Sequence, residues 1–513
     1  MSTIARVASG SVASWCHLAI GFATQLLLVP VVLSHWTPHE YGVWIGIAAA
    51  GSLIQFLDFG HHNYVGFEAL RLGTRARDET SRLYRSAIRI ALIASVVELA
   101  LMGGLIWLGA LDALFGNRFM PEGLSRDAGF VLILQSVAWL QGNWNAVAGR
   151  VLMPFGYYPQ LVWFLVLCTV AATLAQVLAL TLGAGLLAVG IVYHCTSAAF
   201  TSVATSYLRR AIAREGLAQG GSSYALGIAN YARSLALSLR GVLEMLRREQ
   251  FRLIVAPLVG PTALVLFMTS RTVANVLGAG LATIATPLTP ELAQYLNLRD
   301  ARKTASVMTV VWLLLVGALA PGAVTASFFI KPVFVTWTRG RIPFDAVLFA
   351  LFSIGVLLLA FSQPAIAVLQ CLNKVKLQVT ISTLGTAVAL TATFIAVPLL
   401  GVRGAAGSLL AAELIVAVSS VVALRRTFRS LGMTWPHVQI AITATSIGVS
   451  SLLTAWGSQS GAPAGLILLL TITVAVSSTA ALFASLPAST RLAAMSFMAL
   501  IRPAHAFRRK DLL

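Results

Sequence analysis

The sequence predicts an all-α polytopic membrane protein of about 14 transmembrane helices, arranged as two six-helix lobes plus two C-terminal helices with both termini cytoplasmic. Three observations predict it. Hydrophobic residues make up 58% of the 513 and charged ones 10%, with a mean hydropathy of +0.85, which excludes an ordinary soluble globule. Apolar runs long enough to fill a hydrocarbon core of ~30 Å recur along the chain, separated by short polar turns. With the spans assigned as below, 29 of the 36 Lys and Arg fall on the side of the N-terminus, six lie opposite and one, Arg271, lies inside a span. That is the positive-inside pattern. The net charge of +19 therefore reports topology and attraction to anionic lipid, not nucleic-acid binding.

Ser11 to Leu33 forms the first span, and SHWTPHE, without Lys or Arg, is an outside turn. This first apolar segment is too long for a cleavable signal and leads directly into a second span. The second span begins at Tyr41, contains Asp58, and returns to a cytoplasmic loop carrying Arg71, Arg75, Arg77, Arg82, Arg85 and Arg89. The third ends near Ala110, the fourth runs from Gly129 to Arg150, and the fifth and sixth cover about Tyr158 to Leu182 and Gly185 to Tyr207. Residues 1–208 make the N-terminal lobe. Residues 209–236, with Gly220-Gly221-Ser222-Ser223, have the composition of a flexible cytoplasmic linker.

The C-terminal lobe, 237–432, holds spans seven to twelve; residues 433–490 hold two more, and 491–513 form a basic cytoplasmic tail. Spans nine to twelve cover about Thr304 to Phe328, Ala346 to Cys371, Leu377 to Leu399 and Gly404 to Leu424. The outside loop after span nine, with Lys331, Arg339 and Arg341, is the one that breaks the charge bias. Trp36, Trp44, Trp107, Trp337 and Trp456 lie near outside boundaries and read as interfacial anchors. Gly103-Gly104, and Gly404 with Gly407, read as sites of close helix packing. Cys16, Cys168, Cys195 and Cys371 all lie in apolar segments, with no CxxC and no His/Cys cluster, so neither disulfides, metal nor cofactor are indicated.

The densest charge in any apolar region lies between Arg240 and Arg271. Arg240, Glu244, Arg248 and Arg252 recur every fourth residue and form one stripe on a helix, with Arg247 and Glu249 beside it. A single helix from Arg252 to Thr289 would exceed 50 Å at about 1.5 Å per residue, so a turn must interrupt it. Gly260-Pro261 has the turn chemistry, with Pro261 suited to the first helical position. Counting from that turn puts Arg271 roughly 16 Å deep, near the midplane, where a charge normally faces a bundle interior or a wet path. The competing reading is snorkelling for the outer stripe and a structural ion pair for Arg271.

Other polar groups reach similar depth. Glu98 in span three, His194 in span six and Glu413 in span twelve are candidate coupling groups or charge partners, as is Glu244 within the stripe. His194, between Tyr193 and Cys195, lacks ligand geometry and reads first as a satisfied core residue. Asp58 stands near the cytoplasmic end of its span, as a charge partner or as the organiser of its turn. Asn143, Trp144 and Asn145 offer the amides and aromatic face that sugars need, although interhelical hydrogen bonding, which polar residues in spans commonly make, is the preferred reading.

Several motifs, in this order and spacing, resemble the polysaccharide flippases of the multidrug/oligosaccharidyl-lipid/polysaccharide (MOP) exporter superfamily, particularly Wzx-type O-antigen and exopolysaccharide flippases. They are the first-span proline followed by HEYGVW, LDFG, QFRLIVAPLVGPTALVLFMTSRTVA, PELAQYLNLRD, VFVTWTRG, LQCLNKVKLQV and GVRGAAGSLLAAE. The resemblance covers most of the first twelve spans. It implies two six-helix lobes around a central cavity that alternates between inside-open and outside-open, in a bacterial inner membrane. The implied substrate is a polyprenyl-pyrophosphate-linked oligosaccharide, and the implied partners are membrane lipids and the polysaccharide polymerase machinery.

In that frame Arg271, Arg252, Arg248 and Arg240 would hold the pyrophosphate headgroup, because the planar guanidinium fork matches phosphate oxygens. The first span departs from the lipid II flippase pattern, its only potentially cationic group being His17. Two other classes compete. A cation-coupled multidrug exporter should line its path with acids, whereas the stripe holds three arginines and one glutamate. A membrane glycan polymerase or ligase, the enzyme alternative, should present a sizeable outside loop with catalytic groups, and the longest polar connection here is on the cytoplasmic side.

Overall fold

The computed structural model describes residues 3–52, 58, 60–248, 251–285, 288–459, 463–487 and 491. The chain is all-α, and the C-terminal residues Arg508, Arg509 and Lys510 of the basic tail lie outside the described set. It divides into two compact units. Unit 1 comprises Met1–Thr272, Pro332–Asp345 and Gly385–Leu409, and unit 2 comprises Val273–Lys331, Ala346–Leu384 and Leu410–Leu513.

Unit 1 begins with α1 (Thr3–His35) and α2 (Pro38–Ser52). The sharp turn between them is set by TPHE. The Thr37 backbone N–H and hydroxyl both donate to Glu40 Oε2 (2.8 and 2.9 Å), and the Glu40 N–H donates back to Thr37 Oγ1 (3.2 Å). This is a capping box with proline at the first helical position. The expected second span is split: α3 (His61–Leu72) starts afresh after Gly60, whose φ of 66° is left-handed.

Then follow α4 (Arg77–Trp107), α5 (Ala110–Phe119), α6 (Glu122–Val151), α7 (Tyr158–Thr181) and α8 (Leu186–Arg214). Helices α3, α4, α6 and α8 enclose a core of Val65, Leu83, Val147, Val151, Leu208 and Ile212. The Gly/Ser stretch expected as a loose linker is tied to α4. Ser81 Oγ donates to the Leu217 carbonyl (3.0 Å) and the Ser223 N–H donates to Ser86 Oγ (3.0 Å). The chain then continues as α9 (Tyr224–Arg248), so most of the expected linker is helical.

After α9 come α10 (Phe251–Val259) and α11 (Pro261–Ala285), separated by Gly260 at φ 84°. The turn thus falls at the glycine before the proline, where the chemistry demanded it. Span seven accordingly consists of the end of α9 and the nine-residue α10. The first part of α11, through Thr272, belongs to unit 1. Gly42 of the HEYGVW motif packs against this region: a Cβ there would run into the Pro261 carbonyl.

Unit 2 contains α12 (Thr289–Asn297), α13 (Ala301–Leu314) and α14 (Ala320–Trp337) up to Lys331, joined through a π-helical turn at Leu315–Leu319. Asp300 caps α13 by accepting from the Lys303 N–H (2.9 Å). Helices α15 (Ala346–Cys371), α17 (His437–Gly457) and α18 (Ala464–Ser485), with both ends of α16 (Val375–Ser430), complete the unit. Its core gathers Leu292, Trp312, Leu357, Phe361, Phe428 and Leu482, and the Trp312 indole donates to the Phe361 carbonyl (3.2 Å). The two extra helices are integral to it: Gly317 lies against Thr479 of α18, and Gly457 of α17 against Ser327 and Phe328.

Among the described residues nine helices are long and apolar enough to span a membrane, against the fourteen spans expected. Part of the difference is local geometry. Helix α16 runs through two expected spans but breaks at Gly401 (φ 57°), and the second expected span is broken at Gly60, leaving the 12-residue α3 on its far side. Two packing expectations need correction. Trp36 is buried and donates to the Ala184 carbonyl (3.1 Å), and Trp337 donates to the Leu26 carbonyl (2.6 Å), so both lock helices together. Trp107 is 85% exposed. A Cβ at Gly103, Gly104 or Gly407 would meet nothing, whereas one at Gly404 would strike the Ala396 carbonyl.

These glycines allow a direct check by thermal unfolding of the detergent-solubilised protein. Gly42→Val, which forces backbone apart, is expected to cost about 1–3 kcal/mol, whereas Gly104→Ala, in open space on a helix, should leave the midpoint unchanged or slightly raised. Equal effects at the two positions would contradict the packing described.

Candidate functional site

The charged stretch occupies three successive helices of unit 1. On α9, Arg240 and Glu244 are half-buried and Arg247 is 1% exposed. Arg247 Nη2 lies 3.0 Å from Glu244 Oε1, one helical turn back. Arg252 on α10 and Arg271 on α11 are both half-buried. Each of Arg240, Arg252 and Arg271 has a polar or electrostatic partner. The side chains of Arg248 and Glu249 lie outside the described residues.

Arg247 is the member of this group whose importance the four-residue stripe did not reveal. The stripe ran through Arg240, Glu244, Arg248 and Arg252, yet the most buried cation stands beside it. The signal was the i, i+3 spacing of Glu244 and Arg247, which puts opposite charges one turn apart. Phe251 of α10 stacks on Phe267 of α11 (centroids 6.3 Å apart), so the two helices that carry Arg252 and Arg271 are held together by aromatic packing. Thr386 of α16 donates to the Leu243 carbonyl on α9 (3.1 Å).

A second polar group lies around α3, α4 and α9. Asp58, 3% exposed, precedes α3, and its Oδ2 is 2.5 Å from His62 Nδ1. His61 Nε2 donates to the Ala87 carbonyl (3.2 Å), which fixes the tautomer, and its ring meets Tyr231 of α9 edge-on at 5.5 Å. Glu98 of α4 is 2% exposed beside Trp139 of α6, and among the described residues neither of its carboxylate oxygens has a hydrogen-bond partner. Tyr231 lies in the field of both Asp58 and Glu98. Two carboxyls predicted separately from sequence thus share one neighbourhood, joined by histidines and a tyrosine that the sequence reading left unassigned.

The remaining candidates go elsewhere. His194 sits half-buried on α8 with its ring against Tyr193 (5.1 Å), and Glu413 is half-buried on α16 in unit 2. Asn143 is fully buried and donates to Ser95 Oγ (2.8 Å) and the Ala91 carbonyl (3.3 Å). Asn145 donates to the Thr201 carbonyl (3.2 Å) and accepts from Thr205 Oγ1 (2.9 Å). Both amides therefore bind helices to one another. The Trp144 ring is covered by the Arg209 guanidinium, 5.4 Å from its centroid. Among the described residues no group of His, Cys, Asp and Glu could hold a metal ion.

No protein-family profile matches the chain, and no curated protein sequence matches it. Solved structures do. The fold is similar to that of the lipid II flippase MurJ in an inward closed conformation, with a TM-score of 0.63 at 11% identity, over 96% of this chain and 99% of that one. It is also similar to an inward-facing multidrug resistance MATE family transporter of the MOP superfamily (TM-score 0.57, 16% identity, 84% of this chain and 99% of that one). A point mutant of the Vibrio cholerae MATE transporter VcmN matches at TM-score 0.53 and 15% identity, over 83% of this chain and 98% of that one. The chain is a multi-pass membrane protein whose fold is shared with these flippase and drug-transporter structures.

The two buried groups make opposite predictions for neutral replacement. Arg247→Met removes the Arg247–Glu244 pair; because Glu244 is a quarter exposed, the expected loss is about 1–3 kcal/mol, below the range for a wholly buried pair. Glu98→Gln keeps the shape and removes the cost of burying a charge, so thermal unfolding should be unchanged or improved. A Glu98→Gln protein that unfolds early would show that the fold needs that carboxylate.

Proposed function

We propose that the protein is a flippase of the Wzx type, moving a polyprenyl-pyrophosphate-linked oligosaccharide from the inner to the outer leaflet of a bacterial inner membrane by alternating access. The product would feed O-antigen or exopolysaccharide assembly, with polymerase machinery as the downstream partner. The observation that carries this reading is the sign and depth of charge on α9, α10 and α11. Arg240, Arg247, Arg252 and Arg271 stand half-buried or buried along it, with Glu244 as the acid among the described residues of those helices. A pyrophosphate is the part of such a substrate that hydrocarbon will not solvate, and guanidinium groups present paired donors to its oxygens.

Arg240 would meet the headgroup first, Arg252 next and Arg271 at the deepest point, roughly 15 Å along α11 from Pro261, while the polyprenyl tail stays in lipid. The breadth of the fold likeness supports the same direction, since the flippase spans 96% of this chain and the drug transporters 83–84%. Asp58 and Glu98 support a second reading, a cation-coupled drug exporter, because buried carboxyls are what such coupling requires. Their position beside histidines and a tyrosine suits proton exchange in either class of transporter.

Translocation of a labelled polyprenyl-pyrophosphate oligosaccharide in proteoliposomes separates the readings. Arg271→Ala is expected to lower flipping at least about tenfold, and Arg271→Lys to keep part of it, because a charged hydrogen bond of this kind contributes on the order of 1.5–3 kcal/mol. Normal flipping by both variants at matched folded levels would remove Arg271 from the path. Export of a cationic dye that depends on Glu98 and not on Arg271 would favour the exporter.

A further inference from the structure

A cavity of about 380 Å³ opens among the arginines of α4 and α8 in unit 1. Arg85 and Arg89 of α4 and Arg209 of α8 line it, with Ile88 and Ile212 as apolar wall and the 216–223 turn beside it. No aspartate or glutamate lines this cavity. The nearby acid, Glu215, is already engaged, accepting from Tyr157 Oη (3.0 Å) and facing Arg77 (3.3 Å). Three positive charges are therefore gathered around a cavity that no acid lines, an arrangement that self-repulsion disfavours unless an anion completes it.

The three guanidinium groups are also positioned by their surroundings. Arg85 donates to the Gly220 carbonyl, Arg89 lies over the Tyr224 ring at 5.2 Å, and Arg209 lies over Trp144 at 5.4 Å. Two of the three lie on aromatic rings, which orients them and leaves the donor edges of Arg89 and Arg209 available for charge-assisted bonds. The level in the fold is informative as well. On α4 the run of charges ends at Arg89 and gives way to the apolar IALIASVV, while on α8 Arg209 follows directly on the apolar span. The cavity thus lies where helices leave hydrocarbon, at headgroup depth on the side that the charge bias assigns to the cytoplasm. Its isoleucine wall suits the glycerol and first methylenes of a lipid.

We propose that this cavity is a phosphate site that takes the headgroup of an anionic phospholipid from the inner leaflet, fixing α4, α8 and the 216–223 turn to that leaflet. A free phosphate in solution offers the same chemistry and is the alternative source. The guanidinium of Arg85 holds the turn, and those of Arg89 and Arg209 supply the ligand bonds.

The test is native mass spectrometry of the purified, delipidated full chain in detergent with added phosphatidylglycerol or phosphatidylcholine. Inorganic phosphate at millimolar concentration serves as competitor. One phosphatidylglycerol is expected to remain bound where phosphatidylcholine does not. Its affinity should fall at least about tenfold in Arg89→Gln/Arg209→Gln, the loss expected for charged hydrogen bonds, and hold in Arg425→Gln/Arg426→Gln, which neutralises two exposed arginines in unit 2. Displacement by inorganic phosphate would support the site and assign it to the phosphate group alone; retention would support it and assign it to the lipid. Arg209→Gln by itself, at an exposed residue, keeps the experiment readable if the double variant fails to fold. Unchanged phosphatidylglycerol binding in the Arg89/Arg209 variants, or an equal loss in the Arg425/Arg426 control, would overturn the proposal.

Discussion

The cost of removing a charge from water governs this molecule. In the hydrocarbon region an arginine must meet water, an acid or an anionic ligand, and at protein-like dielectric the difference between meeting one and not is several kcal/mol. Arg247 and Glu244 show the first solution: a wholly buried cation with its acid one turn away on the same helix. The Arg85, Arg89 and Arg209 group shows the opposite arrangement, cations together with no acid lining the space between them. The same rule makes the first pair a structural device and the second group a binding site.

Backbone interruption is the companion constraint. A helix crossing a membrane satisfies its own amides, so a break within it exposes carbonyls and N–H groups that need partners. In this chain the breaks fall at glycines in left-handed conformations: Gly60 before α3, Gly260 between α10 and α11, and Gly401 within α16. Two of them stand among the polar and charged residues of interest. Gly60 separates Asp58 from His61 and His62, and Gly260 stands between Arg252 and Arg271. Short helices carry these side chains to depths that a straight helix would set at fixed 1.5 Å increments. Close packing then fixes their positions, as where Gly42 admits the Pro261 carbonyl.

Much of this was legible in the sequence because it rests on local chemistry. The Gly-Pro turn, the apolar spans and the alternation of arginine-rich and arginine-poor loops are all encoded within windows of a few residues. SHWTPHE read as an outside turn, and the capping box between Thr37 and Glu40 that the structure shows there is equally local. Other features depended on which helices meet. Nothing near Trp36 says that its indole reaches Ala184, 148 residues away. Asn143 and Asn145 have the composition of a sugar site, yet Ser95, Thr201 and Thr205 on other helices take up their amides. The convergence of Asp58, Glu98 and Tyr231 from distant segments is tertiary in the same way. The Gly/Ser stretch at 220–223 misled for a related reason: its composition suggested freedom, yet Ser81 and Arg85 of α4 donate to the Gln219 and Gly220 carbonyls and the Ser223 N–H donates to Ser86.

The choice of arginine over lysine bears on how the charged helices work. A lysine desolvated to the degree of Arg247 loses its proton readily, and with it the charge. Guanidinium stays protonated under the same burial, so its positive charge persists whether the surrounding space is wet or closed. A carrier that must hold a phosphate while its surroundings change from open to closed needs that persistence. The arginines of α9, α10 and α11 are therefore suited to a constant electrostatic role. Unit 1 contains both these arginines and the Asp58 and Glu98 neighbourhood, and Tyr231 and Arg240 place the two on the same helix, α9.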